Sequence, residues 1–189
     1  MLVLAVYLSM LETEEEQDKL ETVYNRYYAS MRSTARRYVG QYSMDEDIVH
    51  EAILTIIENL DMVDLSKEWR AKSFVCTITA NKAKDWLKHE KKFQITEVEN
   101  TVMYDEDIEH MPLEMVLNRE GYYRLIRCIH ELGETYHDVC MLRYVSELRV
   151  CDIAKVLNLH QKTVSARLSR ANRILKEKIM NEKIVEGKV

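Results

Sequence analysis

The sequence predicts an all-α protein built as two small helical domains joined by an acidic linker. Only one Pro and four Gly punctuate its 189 residues. Apolar residues recur at helical rather than alternating spacing. Charge falls in blocks of opposite sign, so the formal net charge of -5 is an average and does not exclude an acidic ligand such as DNA. With 47% hydrophobic and 31% charged residues, the chain has the composition of a soluble globular protein with a modest core rather than that of a disordered one.

In chain order, the opening MLVLAVYLSML is apolar but has no basic leader and no small-residue cleavage pattern. It is about half as long as a membrane span requires, which predicts a packed or partner-binding helix and no membrane insertion. Residues 12–21 carry six acids and one Lys and lead into the first domain, expected over residues 15–92.

Within DEDIVHEAILTIIENL, Ile48, Ala52, Ile56 and Leu60 form one stripe widened by Val49, Ile53 and Ile57. Asp45, Asp47 and Glu51 are left on the opposite side or its edge. Residues 67–92 carry eight Lys or Arg against three acids. There Phe74, Ile78 and Leu87 supply core contacts, while Lys72, Lys82, Lys84, Lys88, Lys91 and Lys92 supply charge for phosphates. Trp69 and Trp86 suit either a base-stacking surface or the core.

Residues 93–118 hold seven acids, no Lys or Arg and the only Pro, and residues 93–114 are expected to be the linker. The second domain is expected over residues 115–180. Its stretch RVCDIAKVLNLHQKTVSARLSRA reads as a helix-turn-helix. Ile153, Ala154 and Leu157 form the inner face of one short helix, Leu159 plugs the turn, and Val164, Leu168 and Leu175 line the next helix. Ala154 is small enough for the helices to cross closely, and Asn158 tolerates the left-handed turn conformation. Lys162, Ser165, Ala166, Ser169, Arg170 and Arg173 are then left toward solvent, spaced for a helix in a major groove.

Cys76, Cys128, Cys140 and Cys151 lack the density of a secreted scaffold and are expected to be reduced thiols in a cytoplasmic protein. Short spacings among Cys128, His130, His137, Cys140 and Cys151 permit zinc without requiring it, and no metal or other cofactor is expected. No phosphate-binding glycine loop, HExxH or GxSxG is present, so no catalytic residue is assigned and an enzyme is not expected.

The stretch from Leu132 to Ile179, with LRY at 142–144, IA at 153–154 and TVSARLSRA at 163–171, resembles region 4 of the sigma-70 family of bacterial RNA polymerase sigma factors. Residues 24–61 look like regions 2.1 and 2.2 of that family, and residues 72–92 like regions 2.3 and 2.4. The two matches occur in the family's order and, without a further large region, are most similar to the small two-domain extracytoplasmic-function group. Their implied fold is a region 2-like domain and a region 4-like helix-turn-helix domain.

The resemblance implies a transcription-initiation factor that binds core RNA polymerase through the beta-prime clamp helices and beta flap, recognises promoter DNA and helps open it. An anti-sigma factor is a further implied partner. Asp47, His50 and Glu51 fall at core-binding positions, with His50 where the family commonly has Gln. Trp69, Arg70, Lys72, Asn81, Lys84 and Lys88 fall on the surface for the -10 element, where Ala80 replaces the basic residue of many relatives. Lys162, Ser165, Ala166, Arg167, Ser169, Arg170 and Arg173 face the -35 element. The alternatives are a helix-turn-helix regulator that binds duplex DNA without being a polymerase subunit, and a protein-interaction module that binds no DNA.

Overall fold

The computed structural model describes residues 2–40, 44–91 and 119–186, and among them every regular element is helical. The linker expected at 93–114 lies outside the described residues. The chain divides into two compact units, Met1–Met103 and Tyr104–Val189.

In the first unit, α1 spans Leu2–Leu8, α2 Glu14–Val39, α3 Asp45–Glu58 and α4 Glu68–Lys91, with a 3-10 turn at Leu60–Met62. Helix α2 starts at a capping box: Thr13 Oγ1 accepts from the Glu16 amide at 3.2 Å while Glu16 Oε2 accepts from the Thr13 amide at 3.2 Å. Two otherwise unpaired amides are satisfied this way. Glu14, Glu15 and Glu16 sit at the positive end of the helix, and Arg36 and Arg37 at the negative end. Gly40 ends it at φ 60, a conformation that a residue lacking Cβ adopts readily.

Helices α2, α3 and α4 pack on one another. Leu20, Val23, Tyr27, Met31 and Ala35 of α2 meet Ile48, Val49, Ala52, Ile53 and Ile56 of α3 and Ala71, Phe74, Val75 and Ile78 of α4, all buried. The stripe expected on α3 is therefore the packed face. Leu87 and Ile57, expected with these residues, are only half-buried.

Asp45 departs from the expected solvent edge. It is buried and accepts from Arg32 Nε and Arg36 Nε, each at 2.7 Å, while Arg32 also reaches Glu46 at 2.7 Å. A carboxylate at the start of α3 is thus clamped by two guanidinium groups one turn apart on α2, which joins the helices by charge as well as by apolar packing.

In the second unit, α5 spans Arg119–His130, α6 Glu134–Cys140, α7 Val150–Val156 and α8 Gln161–Glu186. A π-helical turn at Met141–Val145 continues α6 and buries Leu142 and Val145. Helices α6 and α7 have seven residues each, too short to persist in water by themselves. Both lie against α8, whose Val164, Leu168, Ala171 and Leu175 are buried. Arg149 pairs with Asp152 at 2.9 Å across the first turn of α7, and Lys178 of α8 reaches Glu131 at 2.6 Å.

The Arg32 hydrogen bond, reinforced by Arg36 and opposed by burial, holds the Asp45 carboxyl below the usual carboxylate range. A lowered folded pKa means that the clamp stabilises the fold above the ordinary Asp value and that this contribution disappears as pH falls through the folded value. Asp45→Asn is expected to cost about 1–2 kcal/mol at neutral pH and to flatten the acid limb of the stability profile. Urea denaturation across pH followed by tryptophan fluorescence measures this in the first unit, because Trp69 and Trp86 both lie on α4.

Candidate functional site

The second unit builds its outward face around the turn between α7 and α8. Asn158 adopts φ 51 directly after the last turn of α7. The Leu159 amide donates to the Ala154 carbonyl at 2.8 Å and the Asn158 amide to the Lys155 carbonyl at 3.1 Å. These are the paired closing bonds of a Schellman ending, satisfying carbonyls that the helix end leaves open. They also turn the chain so that α8 begins at Gln161. Ile153, Ala154 and Leu157 are buried on the inner side of α7 and Leu159 is half-buried in the turn, the positions expected from spacing.

Burial of Val164, Leu168, Ala171 and Leu175 decides the opposite side of α8. Lys162, Ser165, Ala166, Ser169, Arg170 and Arg173 are exposed, and Arg167 is half-buried at the edge. Among the described residues, none of these four cations is in an ion pair. Short side chains at 165, 166 and 169 let a ligand approach the helix closely, while the Arg and Lys side chains reach past them. This combination suits a polyanion with a groove.

On the first unit, Asp47, His50 and Glu51 are all exposed on the side of α3 away from the core. Asp47 is the i, i+3 neighbour of His50 and the i, i+4 neighbour of Glu51. His50 is also held from outside its own helix: Tyr7 of α1 lies with its hydroxyl 2.6 Å from His50 Nδ1 and its ring centroid 5.5 Å from the imidazole. This contact joins residues 43 apart in sequence and was not legible in the local pattern.

The α4 surface is less basic than expected. Lys84 is 7% exposed, with its ammonium 5.6 Å from the Tyr38 ring centroid, rather than displayed for phosphates. Its charge meets an aromatic face. Arg70 also turns inward: its side chain is 14% exposed, reaches Asp64 at 3.4 Å and lies 5.2 Å from the Trp69 ring centroid. Asp64 in turn accepts from the Ser66 amide at 3.0 Å, ordering the loop before α4. Trp69, Lys72 and Asn81 are half-buried, and Lys88 is exposed beside Asp85 at 3.1 Å. Of the expected set, Lys88 is exposed and Trp69, Lys72 and Asn81 are half-buried, while Arg70 and Lys84 turn inward.

Of the cysteine and histidine group, Cys128, His137 and Cys140 belong to the core of the second unit, while His130 and Cys151 are half-buried. Burial pushes the Cys140 thiol up to about 12, which keeps it protonated. His130 and His137 stack with centroids 5.4 Å apart, and His137 Nδ1 lies 3.0 Å from Asp138 Oδ1. Burial and then the neighbouring His137 push the His130 pKa down to about 4. Among the described residues, no three His, Cys, Asp or Glu side chains converge as a metal site.

Residues 23–93 match Sigma-70 region 2 and residues 122–175 match Sigma-70, region 4. The chain is 23% identical over 171 residues to the ECF RNA polymerase sigma factor SigW of Bacillus subtilis (strain 168), covering 87% of this chain and 90% of the relative. It is 28% identical over 151 residues to the RNA polymerase sigma factor SigV of the same organism, covering 77% and 81%. Among solved structures, it is similar to the sigma factor RpoE in complex with the anti-sigma factor NepR from Bartonella quintana. That match has a TM-score of 0.46 and 15% identity, covering 89% of this chain and 98% of that one.

The turn geometry makes a separable prediction. Asn158→Val places a β-branched side chain at φ 51 and is expected to cost about 1–2 kcal/mol, whereas Asn158→Gly changes stability by less than about 1 kcal/mol. Amide exchange of the Leu159 and Asn158 protons reads the turn directly. Val should accelerate it and Gly should leave it protected.

Proposed function

The chain belongs to the sigma-70 family of RNA polymerase sigma factors, in its extracytoplasmic-function group, and from that membership we propose which surfaces serve each step of initiation. It is a transcription-initiation factor whose partners are core RNA polymerase and promoter DNA. Sigma factors are generally non-enzymatic, and this one acts without a catalytic residue of its own, leaving nucleotide addition to the polymerase. Family membership supports an action in the cytoplasm, and among the described residues no helix is long and apolar enough to cross a membrane.

The observation that carries the division of labour is the outward face of α8. Unpaired Lys162, Arg167, Arg170 and Arg173 surround small exposed side chains at 165, 166 and 169. In this reading α8 enters the major groove at the -35 element. Lys162, Ser165, Ala166 and Ser169 set sequence preference, while Arg167, Arg170 and Arg173 hold register on phosphates. Because Ser165 and Ala166 reach only a short way, part of the preference comes from DNA shape.

Asp47, His50 and Glu51 form the edge that docks on core polymerase, at the beta-prime clamp helices, while the second unit meets the beta flap. Trp69, Lys72, Asn81 and Lys88 serve the -10 element, with Lys72 and Lys88 drawing the strand to α4 and Asn81 contacting a base. Buried Lys84 and the inward-turned Arg70 support that surface from beneath. A regulator acting on duplex DNA alone would have no use for the α3 edge or for the Sigma-70 region 2 match.

Reversing Asp47 and Glu51 to Lys is expected to weaken core polymerase binding about tenfold or more while the domain stays folded, since neither side chain is buried. Unchanged affinity in a folded double mutant rejects this edge. For the other surface, Arg170→Ala should weaken different promoters by similar factors and lower the salt slope by about one phosphate contact. Changes at Ser165 or Ala166 should instead reorder promoters. Binding series across -35 variants and salt concentrations separate the two behaviours, and selective loss at one base pair for Arg170→Ala would refute its assignment to phosphate.

A further inference from the structure

Tyr7 is 2% exposed and packs its ring against Tyr24, with centroids 6.2 Å apart, and against the His50 imidazole at 5.5 Å. Its hydroxyl meets His50 Nδ1 at 2.6 Å, the polar contact that joins α1 to α3. Other residues of α1 are far more open: Val3 is 55% exposed and Val6 58%. A short apolar helix is thus pinned to the first unit by a phenol whose polar end is spent on an exposed histidine.

The contact decides where the proton sits on His50. A phenol buried to this degree offers its hydrogen little access to water, and His50 is its hydrogen-bond partner among the described residues. If Nδ1 carried the imidazole proton, it would donate to the phenol oxygen and leave the buried hydroxyl hydrogen without an acceptor. Burial, with Tyr24 and then Tyr28 adding, raises the Tyr7 pKa to about 12, so the phenol keeps its proton and remains a donor. In neutral His50, Nδ1 is therefore the acceptor and Nε2 carries the hydrogen.

We propose that Tyr7 is a positioning residue for polymerase docking: it fixes the orientation and tautomer of His50 so that Nε2–H is offered as a donor between the acceptors Asp47 and Glu51. The proposal rests on the docking edge assigned above. With a carboxylate at 47 and another at 51, the edge reads acceptor, donor, acceptor along the outward side of α3. The complementary polymerase surface presents two cationic or N–H groups flanking an oxygen acceptor, such as a side-chain amide or main-chain carbonyl. The recognition element is assembled from two segments 43 residues apart, and α1 thereby shapes a docking surface carried by another helix.

Tyr7→Phe tests this because it keeps the ring packing and removes the hydroxyl. Long-range ¹H–¹⁵N spectra of the free full-length chain at mildly alkaline pH should show His50 protonated at Nε2 in the parent and mixed between nitrogens in Tyr7→Phe. A parent spectrum with the proton on Nδ1 overturns the proposal. In core polymerase titrations, Tyr7→Phe should weaken binding about fivefold when His50 is present and have no further effect in a His50→Ala background. Equal weakening in both backgrounds would make Tyr7 only an anchor for α1 and overturn the positioning role. If Asp47→Lys with Glu51→Lys loses affinity while Tyr7→Phe and His50→Ala keep it, the inference fails and the docking edge stands. If all these variants bind as the parent does, the docking edge itself is wrong.

Discussion

Val164, Leu168, Ala171 and Leu175 recur along α8 at intervals of four, three and four residues, and their common burial governs what the second unit can do. One side of a helix cannot be both packed and offered, so committing this stripe to α5, α6 and α7 leaves the remaining side for a ligand. The dependence runs both ways. Seven-residue α6 and α7 gain persistence by lying on α8. The start of α8 is aimed by the turn at Asn158, whose left-handed conformation closes α7 with two main-chain hydrogen bonds.

The first unit applies the same constraint to three longer helices and adds charge to it. Burial of Ile48, Val49, Ala52, Ile53 and Ile56 turns Asp47, His50 and Glu51 outward on α3. Charges near the helix junctions are used differently. Asp45 goes inward because Arg32 and Arg36 converge on it, and Lys84 lies inward with its ammonium over the Tyr38 ring. Each buried charge has a named electrostatic partner, which is the condition under which a folded interior tolerates it. The basic block on α4 is thus partly scaffold and partly surface, with Arg70 in the former part and Lys72 and Lys88 in the latter.

Function as a sigma factor follows from two regions in one chain, each with its own core and its own outward face. An acidic edge on one unit suits a polymerase subunit, and an unpaired basic face on the other suits DNA. The net charge of -5 conceals both, because long-range averages erase the segregation that packing produces.

The helical class, the apolar stripes of α3 and α8, the inward place of Ala154 and the turn at Asn158 were legible in the sequence because each depends on a period or on a residue's own backbone preference. The outward positions at 162, 165, 166, 169, 170 and 173 were legible for the same reason: they are what the stripe leaves over. Tertiary structure alone decided the rest. Whether Lys84 reaches solvent depends on Tyr38 from another helix, Asp45 is claimed by arginines of α2, and His50 is met by Tyr7 from 43 residues away. Periodicity assigns a residue to one face of its helix. Which neighbour approaches that face, and whether a charge there finds a partner or water, is fixed only when separate segments pack.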